Sequence, residues 1–334
     1  MGGYSSSSGS SSGDYDWSSS PSVTRKSAKS YASDDDRKYD SSAAKGIPSP
    51  AEQKKKELKT DSGLASIIML DVTGSMRDLP EKIIDKMATL YHESNAAIQG
   101  YDPKELEKDK KKAEGLDTKL DIAVVAIRDS RVGDSYPIQA VNFSHGADLV
   151  KNVNQILTDG GGGNAKESYD LAAYHLIKHA ETPNVPAGVK PLLVIVGDEG
   201  FYEKSKAAEI KKYIGDTIPQ DLDGKKLMQT LAKKYDMFIL RPELCYDASE
   251  YKAIHQQWVE VLGEERVMKM DDSKRIVDCI IALHGYIANN LEGATDMLKR
   301  RQTPEQVKEV LETLHPLLSK KGDKGGKKEA KDEK

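Results

Sequence analysis

Acid and alcohol oxygens gathered at one point in the chain are the first sign of chemistry. The run Ile67-Ile-Met-Leu-Asp-Val-Thr-Gly-Ser-Met76 is apolar up to Asp71 and then sets hydroxyls at alternate positions, Thr73 and Ser75, with Gly74 between them. A carboxylate and two hydroxyls at the end of a buried strand suit a hard divalent cation. Magnesium takes near-octahedral oxygen coordination and keeps several waters. A second acid in a similar setting follows much later: Pro191-Leu-Leu-Val-Ile-Val196 is wholly apolar and runs straight into Gly197-Asp198-Glu199-Gly200. If the strands bearing Asp71 and Asp198 are neighbours, their carboxylates meet at one sheet edge, where they repel unless a cation lies between them. Each piece alone has an ordinary explanation, since an Asp after a strand is more often a turn former or helix cap than a ligand. The signal is the joint order: strand, Asp-x-Thr-Gly-Ser, glycine-rich loop and helix, strand, Gly-Asp.

The elements that must position these residues show as an alternation of apolar runs and amphipathic stretches. Leu64–Leu70 reads as a strand, and Asp78-Leu-Pro80 as a turn into a helix with Ile83, Ile84, Met87 and Leu90 on one stripe. Ile122–Ile127 is a second strand, Pro137–Phe143 a weakly alternating edge strand, and Asp148–Leu157 a short helix. Asp159-Gly-Gly-Gly-Gly-Asn164 follows. Such a glycine run is worth its entropic cost only where the backbone turns sharply or approaches something closely. The next helix carries Tyr169, Ala172, Ala173, Leu176 and Ile177 on one face. Strands at Leu192–Val196, Met237–Leu240 and Arg266–Met270 alternate with helices at Ala207–Ile214, Lys226–Lys234, Glu250–Leu262 and from Ser273 to Leu291. The predicted class is α/β, a doubly wound, mostly parallel central sheet with helices on both faces. In such sheets ligands bind beyond the carboxyl ends of the strands, near the point where strand order reverses.

Composition divides the chain. Residues 1–58 are rich in Ser, Gly and Asp and are predicted to be a disordered arm, because they cannot bury enough apolar surface. The α/β domain is expected over 59–295 and a helical extension over 296–319, in which Thr303-Pro-Glu-Gln306 has capping-box spacing. A charged, disordered tail is expected over 320–334. The formal net charge of -4 is too balanced to indicate nucleic acid as a partner. No apolar run approaches the ~20 residues of a membrane span. The N-terminus lacks the apolar core of a secretory signal. Cys245 and Cys279 are the only cysteines, which argues against a disulfide framework and a thiolate metal site. A cytoplasmic location is expected.

Enzymatic readings lack their companions. There is no phosphate-binding Gly-x-x-x-x-Gly-Lys-[Ser/Thr] loop, and Thr73 stands where a haloacid-dehalogenase-type phosphatase would carry its second Asp. His175 and His179 share a helix face at metal-ligand spacing, but without an adjacent acidic partner they read as a structural pair. The chain is expected not to be an enzyme.

Taken together, the motifs resemble the von Willebrand factor A (vWA) domain family, over about Leu64 to Leu291. Asp71, Thr73 and Ser75 fall at the three positions of that family's Asp-x-Ser-x-Ser metal-ion-dependent adhesion site. The strand Ala123–Ile127 followed by Arg128-Asp129, the glycine-rich loop with Glu167 after it, and Val-Gly-Asp198 match in order and spacing. The glycine-rich loop and the Trp258…Leu262-Gly263 segment are most similar to intracellular bacterial and phage-type members. The resemblance implies a Rossmann-like vWA fold and Mg2+ (or Mn2+ or Ca2+) held by Asp71, Thr73, Ser75 and Asp198. It also implies one coordination position left open for a Glu or Asp of a protein partner. The partner class it implies is an AAA+ ATPase or its client, with this chain as adaptor. One departure is visible: where many members place a Thr ligand, this chain has Gly163, so Asn164, a backbone carbonyl or a water must replace the hydroxyl, and weaker or more partner-dependent magnesium binding is expected. The alternative reading is a structural or assembly component whose metal site stabilises the fold.

Overall fold

Apolar side chains on both faces force the strand runs into the middle of the molecule. The structure is a computed structural model, and it describes residues 57–100, 120–134, 136–158, 161, 164–243 and 248–319. Most of the arm expected over 1–58, the tail expected over 320–334, the charged stretch 101–119, Gly163 and Cys245 lie outside the described residues. The central sheet is built from β1 (Leu64–Asp71), β2 (Leu120–Ile127), β3 (Ile138–Ser144), β4 (Leu192–Val196), β5 (Asp236–Pro242) and β6 (Val267–Met270). Its order is β3-β2-β1-β4-β5-β6. All neighbours are parallel except β3, which runs antiparallel to β2 on the edge. The mixed α/β class with a mostly parallel sheet therefore stands as expected.

Period-2 alternation sends successive residues to opposite faces. Ile68, Leu70, Val124, Val194, Val196, Phe238 and Leu240 join one core with α1 (Leu79–Asp85), α2 (Met87–Gln99) and α3 (Gly146–Val153). Ile67, Met69, Val125, Leu193, Ile195, Met237 and Ile239 join the other with α4 (Tyr169–His179), α5 (Gly224–Lys234) and α6 (Ala248–Leu262). Every residue of β4 is fully buried, as a strand covered on both faces must be. The stripe expected from Ile83 to Leu90 is shared by α1 and α2, with Lys86 as the break between them.

The first core is closed by α7 (Ile276–Ile287), α8 (Leu291–Lys299) and α9 (Pro304–Thr313). The capping box read from sequence is present: Thr303 Oγ1 accepts from Gln306 N at 3.3 Å, and Gln306 Oε1 accepts from Thr303 N at 2.9 Å. Leu298, Val307, Val310, Leu314 and Leu317 pack into the same cluster as α7. Arg301 fastens this end by pairing with Glu93 at 2.8 Å and Asp278 at 2.6 Å. At the amino end of the sheet, Leu58–Lys59 pairs in parallel with Ala180–Glu181. Among the described residues no helix is long and apolar enough to cross a membrane.

Candidate metal centre

Sheet order reverses at β1, which pairs with β2 on one side and β4 on the other. Asp71 is the last residue of β1, and Asp198 follows the end of β4 by two residues, so the two acids stand side by side at the carboxyl edge. Thr73 donates to Asp71 Oδ1 twice, from its backbone N at 2.9 Å and from Oγ1 at 2.5 Å. Thr73 Oγ1 lies 3.2 Å from Ser75 Oγ, and Ser75 Oγ donates to Asp198 Oδ1 at 3.0 Å. Each hydroxyl spends its one proton on an acid, so Thr73 and Ser75 face each other with lone pairs, and four residues from two strand ends form one oxygen cluster. Asp71 and Asp198 are fully buried, while Ser75 is half-buried and Gly74 exposed, so the cluster opens to solvent on that side. The glycine-rich loop reaches the same place, with Gly74 N donating to Gly161 O at 3.0 Å. Gly161 has φ +110°, and a Cβ there would stand 2.7 Å from Asp134 Oδ1, so both conformation and space require glycine.

Several residues at this edge escaped the sequence reading. Tyr169, the first residue of α4, reads in sequence as part of an apolar face. Its hydroxyl instead donates to Asp71 Oδ2 at 3.0 Å. Its signal is Gly197, because a Cβ at that position would lie 1.9 Å from the Tyr169 hydroxyl. Arg241 reads as a strand stop, yet it lies within β5, fully buried, and donates from Nη2 to Asp198 O at 2.9 Å. Trp258 Nε1 donates to Glu199 O at 3.0 Å, and its ring meets Tyr169 edge-on at 5.3 Å.

Asn164 also comes to this edge, on a different set of partners. Its Nδ2 donates to Asp129 Oδ2 at 2.7 Å and to the Tyr202 hydroxyl at 2.9 Å, and its Oδ1 accepts from Lys166 N at 2.9 Å. Asp129 further receives the Tyr202 hydroxyl, at 2.9 Å to each oxygen. Asn164 thus hydrogen-bonds to Asp129, Tyr202 and Lys166, a set separate from the Asp71–Asp198 cluster.

The electrostatics of the edge are those of too much buried negative charge. Asp71 is raised well above the carboxylate range, by burial first and then by the charges of Asp198 and Glu199, against the hydrogen bonds from Thr73. Burial likewise raises Asp198, opposed by the Ser75 hydrogen bond and the Arg241 guanidinium. Glu167, also fully buried, is pushed up to about 12, by burial first and then by Asp71 and Glu199. Such groups either hold protons or share a cation. Asp198 Oδ2 is buried without a hydrogen-bond partner, as an oxygen reserved for another ligand would be. The donor set of two carboxylates and two hydroxyls therefore fits a hard divalent ion. Among the described residues no three His, Cys, Asp or Glu side chains converge as a ligand set, and the shell expected here draws only two donors from those types. The His175–His179 pair stacks at 5.5 Å, and His179 Nε2 meets Asp216 Oδ2 at 2.8 Å, which ties α4 to the turn beyond Ile214.

No protein-family model matches the chain, and no curated protein does. Among solved structures, it is similar to the pilus adhesin SpaC from Lactobacillus rhamnosus GG in its open conformation, with a TM-score of 0.44 and 9% identity over 71% of this chain and 31% of the adhesin. It is also similar to proximal thread matrix protein 1 (PTMP1) from the mussel byssus, with a TM-score of 0.39 and 10% identity over 69% of this chain and 49% of that protein. The chain spans about a third of the adhesin's length and about half of the matrix protein's. At that level of likeness the chemistry of the edge has to be read from its own residues.

Proposed function

We propose that the chain is a non-enzymatic binding module of vWA type, which docks an acidic residue of a protein partner through a divalent cation. Asp71, Thr73, Ser75 and Asp198 would hold the ion, with Mg2+ the first choice and Mn2+ or Ca2+ as substitutes. The bound ion supplies a Lewis-acidic position that a partner carboxylate can fill. The observation that carries this reading is the cluster of oxygens from Asp71, Thr73, Ser75 and Asp198 across the point of strand reversal, in which the two hydroxyls meet lone pair to lone pair and one buried carboxylate oxygen has no partner. This chain's residues contribute orientation: Tyr169 and Thr73 fix the two oxygens of Asp71, and Arg241 holds the Asp198 backbone. The half-buried Ser75 and exposed Gly74 mark the side from which a partner approaches. An AAA+ ATPase or its client is the partner class we carry forward from the resemblance.

Titration of the purified chain with Mg2+ or Mn2+ should show one saturable site that is lost in Asp71→Ala. A partner captured in Mg2+ should be released by EDTA and not be captured by Asp71→Ala, whose far-UV circular dichroism stays unchanged. A wild-type chain that binds neither ion overturns the proposal. Complete burial of Asp71 and Asp198 favours a second reading, in which the ion chiefly stabilises the fold. That reading expects chelation to lower the melting temperature while leaving partner capture intact.

A further inference from the structure

Glu167 lies in a two-residue strand that pairs in parallel with Gly200–Phe201, just beyond Asp198. Gly200 N donates to Ala165 O at 3.2 Å and Ser168 N to Arg128 O at 3.2 Å. The segment is therefore pinned between the ends of β4 and β2, over β1, whose last residue is Asp71. Two positions further on, Tyr169 reaches Asp71 itself. Glu167 is 0% exposed, no neutral or cationic donor of the described residues reaches its carboxylate oxygens, and the side chain it meets is another acid, Glu199. Native interiors rarely leave buried polar atoms unmatched, and two carboxyls facing each other have acceptors in excess of donors.

The surrounding donors are already committed. The Tyr169 hydroxyl is on Asp71, the Ser168 hydroxyl on Ser130, the Tyr202 hydroxyl and Asn164 amide on Asp129, and the Trp258 indole on Glu199 O. Glu199 meets Glu167 as a second acid and can pair with it only through a shared proton, so with both ionised the donor must come from outside the protein. A hydrated divalent ion provides donors of that kind, because magnesium keeps several of its waters when bound by one or two carboxylates.

We propose that Glu167 is the third acid of the metal centre, accepting hydrogen bonds from water bound to the ion that Asp71, Thr73, Ser75 and Asp198 hold. The inference rests on the reading of those four residues as a cation site. It gives the centre a side-chain oxygen that the glycine at position 163 cannot supply, from a residue placed after the loop. Partners of this outer kind commonly change metal affinity by about 10–100-fold when mutated.

The test is Mn2+ affinity of the full chain, by calorimetry and by the electron paramagnetic resonance signal of free Mn2+, for wild type, Glu167→Gln and Asp198→Asn. Glu167→Gln is expected to weaken Mn2+ binding by about tenfold or more. In EDTA at pH 8 it is expected to melt above wild type, because without the ion wild-type Glu167 must take up a proton to be buried, whereas the neutral amide needs none. If Glu167→Gln binds Mn2+ within twofold of wild type while Asp198→Asn does not bind, the inference about Glu167 fails and the cation site stands. A Glu167→Gln chain that melts below wild type in EDTA shows a carboxylate serving the fold without metal, which also overturns it. A wild-type chain without Mn2+ affinity removes both readings.

Discussion

A methyl group at position 197 would end 1.9 Å from the Tyr169 hydroxyl, and that one distance binds three residues into a unit. Glycine at 197 lets the phenol lie across the end of β4 and reach Asp71 Oδ2. Tyr169→Phe keeps the ring against Trp258 and deletes only the donor, so it should lower stability by about 1 kcal/mol in urea denaturation. Gly197→Ala removes no side-chain oxygen but drives the phenol off its position and presses on Asp71 Cβ at 3.0 Å. It should cost about 1–3 kcal/mol and weaken Mn2+ binding in the same variant. A Gly197→Ala chain with wild-type stability and metal affinity would show that the phenol has no positioning role. At this scale Asp71, Thr73, Ser75 and Asp198 were legible because strand, turn and hydroxyl alternation are local patterns. Tyr169 was not, since it and Asp71 are 98 positions apart and only the fold brings them together. Arg241 was missed for a related reason: a charged residue beside Pro242 reads as a boundary, and its burial depends on Asp198 O and Tyr251 O as distant acceptors.

At the scale of elements, α7 lies within the helix expected from Ser273 to Leu291, and its apolar stripe runs over Ile276, Ile280, Leu283 and Ile287. The stripe leaves out His284, which is fully buried beneath β1. Its Nδ1 lies 2.9 Å from Ile280 O and donates to it, so Nε2 is left to accept from Ser66 Oγ at 3.1 Å. Burial holds this imidazole down to about 4, below the ordinary 6.5. Between those values the unfolded chain binds the extra proton and the folded chain does not. The contribution is therefore complete above about pH 6.5 and is lost as the pH falls towards 4, by roughly 3 kcal/mol in all. Urea unfolding at pH 7 and pH 4.5 should show a larger acid loss for wild type than for His284→Gln, and the difference isolates this residue from the buried acids. Equal losses would place the proton elsewhere. The strands themselves were readable from apolar runs, whereas their lateral order was not. Periodicity reports which face is buried and says nothing of which strand is adjacent, so the β1–β4 pairing that unites Asp71 and Asp198 had to come from the structure.

For the whole molecule, the helical extension expected over 296–319 shares the core of the sheet domain. Val307, Val310, Leu314 and Leu317 are buried against the α7 side. At about 1.5–3 kcal/mol per buried aliphatic side chain, α9 and the turn after it contribute on the order of 6–12 kcal/mol as an upper figure. That is comparable with the roughly 5–15 kcal/mol that holds an ordinary domain folded. A chain ended at Gln302 is expected to lose cooperative thermal unfolding, and a sharp melt near the wild-type temperature would refute the assignment. The capping box was visible in sequence because it is a four-residue pattern, while the shared core was not, since Arg301 meets Glu93 across more than half of the chain. The pairing of Leu58–Lys59 with Ala180–Glu181 has a practical corollary. It lies at the amino end of the parallel strands, and the Asp71–Asp198 cluster lies at the other. The molecule is thus bipolar, and a surface anchored through an engineered cysteine at Asn184 would present the acid-rich pole outward, whereas one anchored at Gly74 would occlude it.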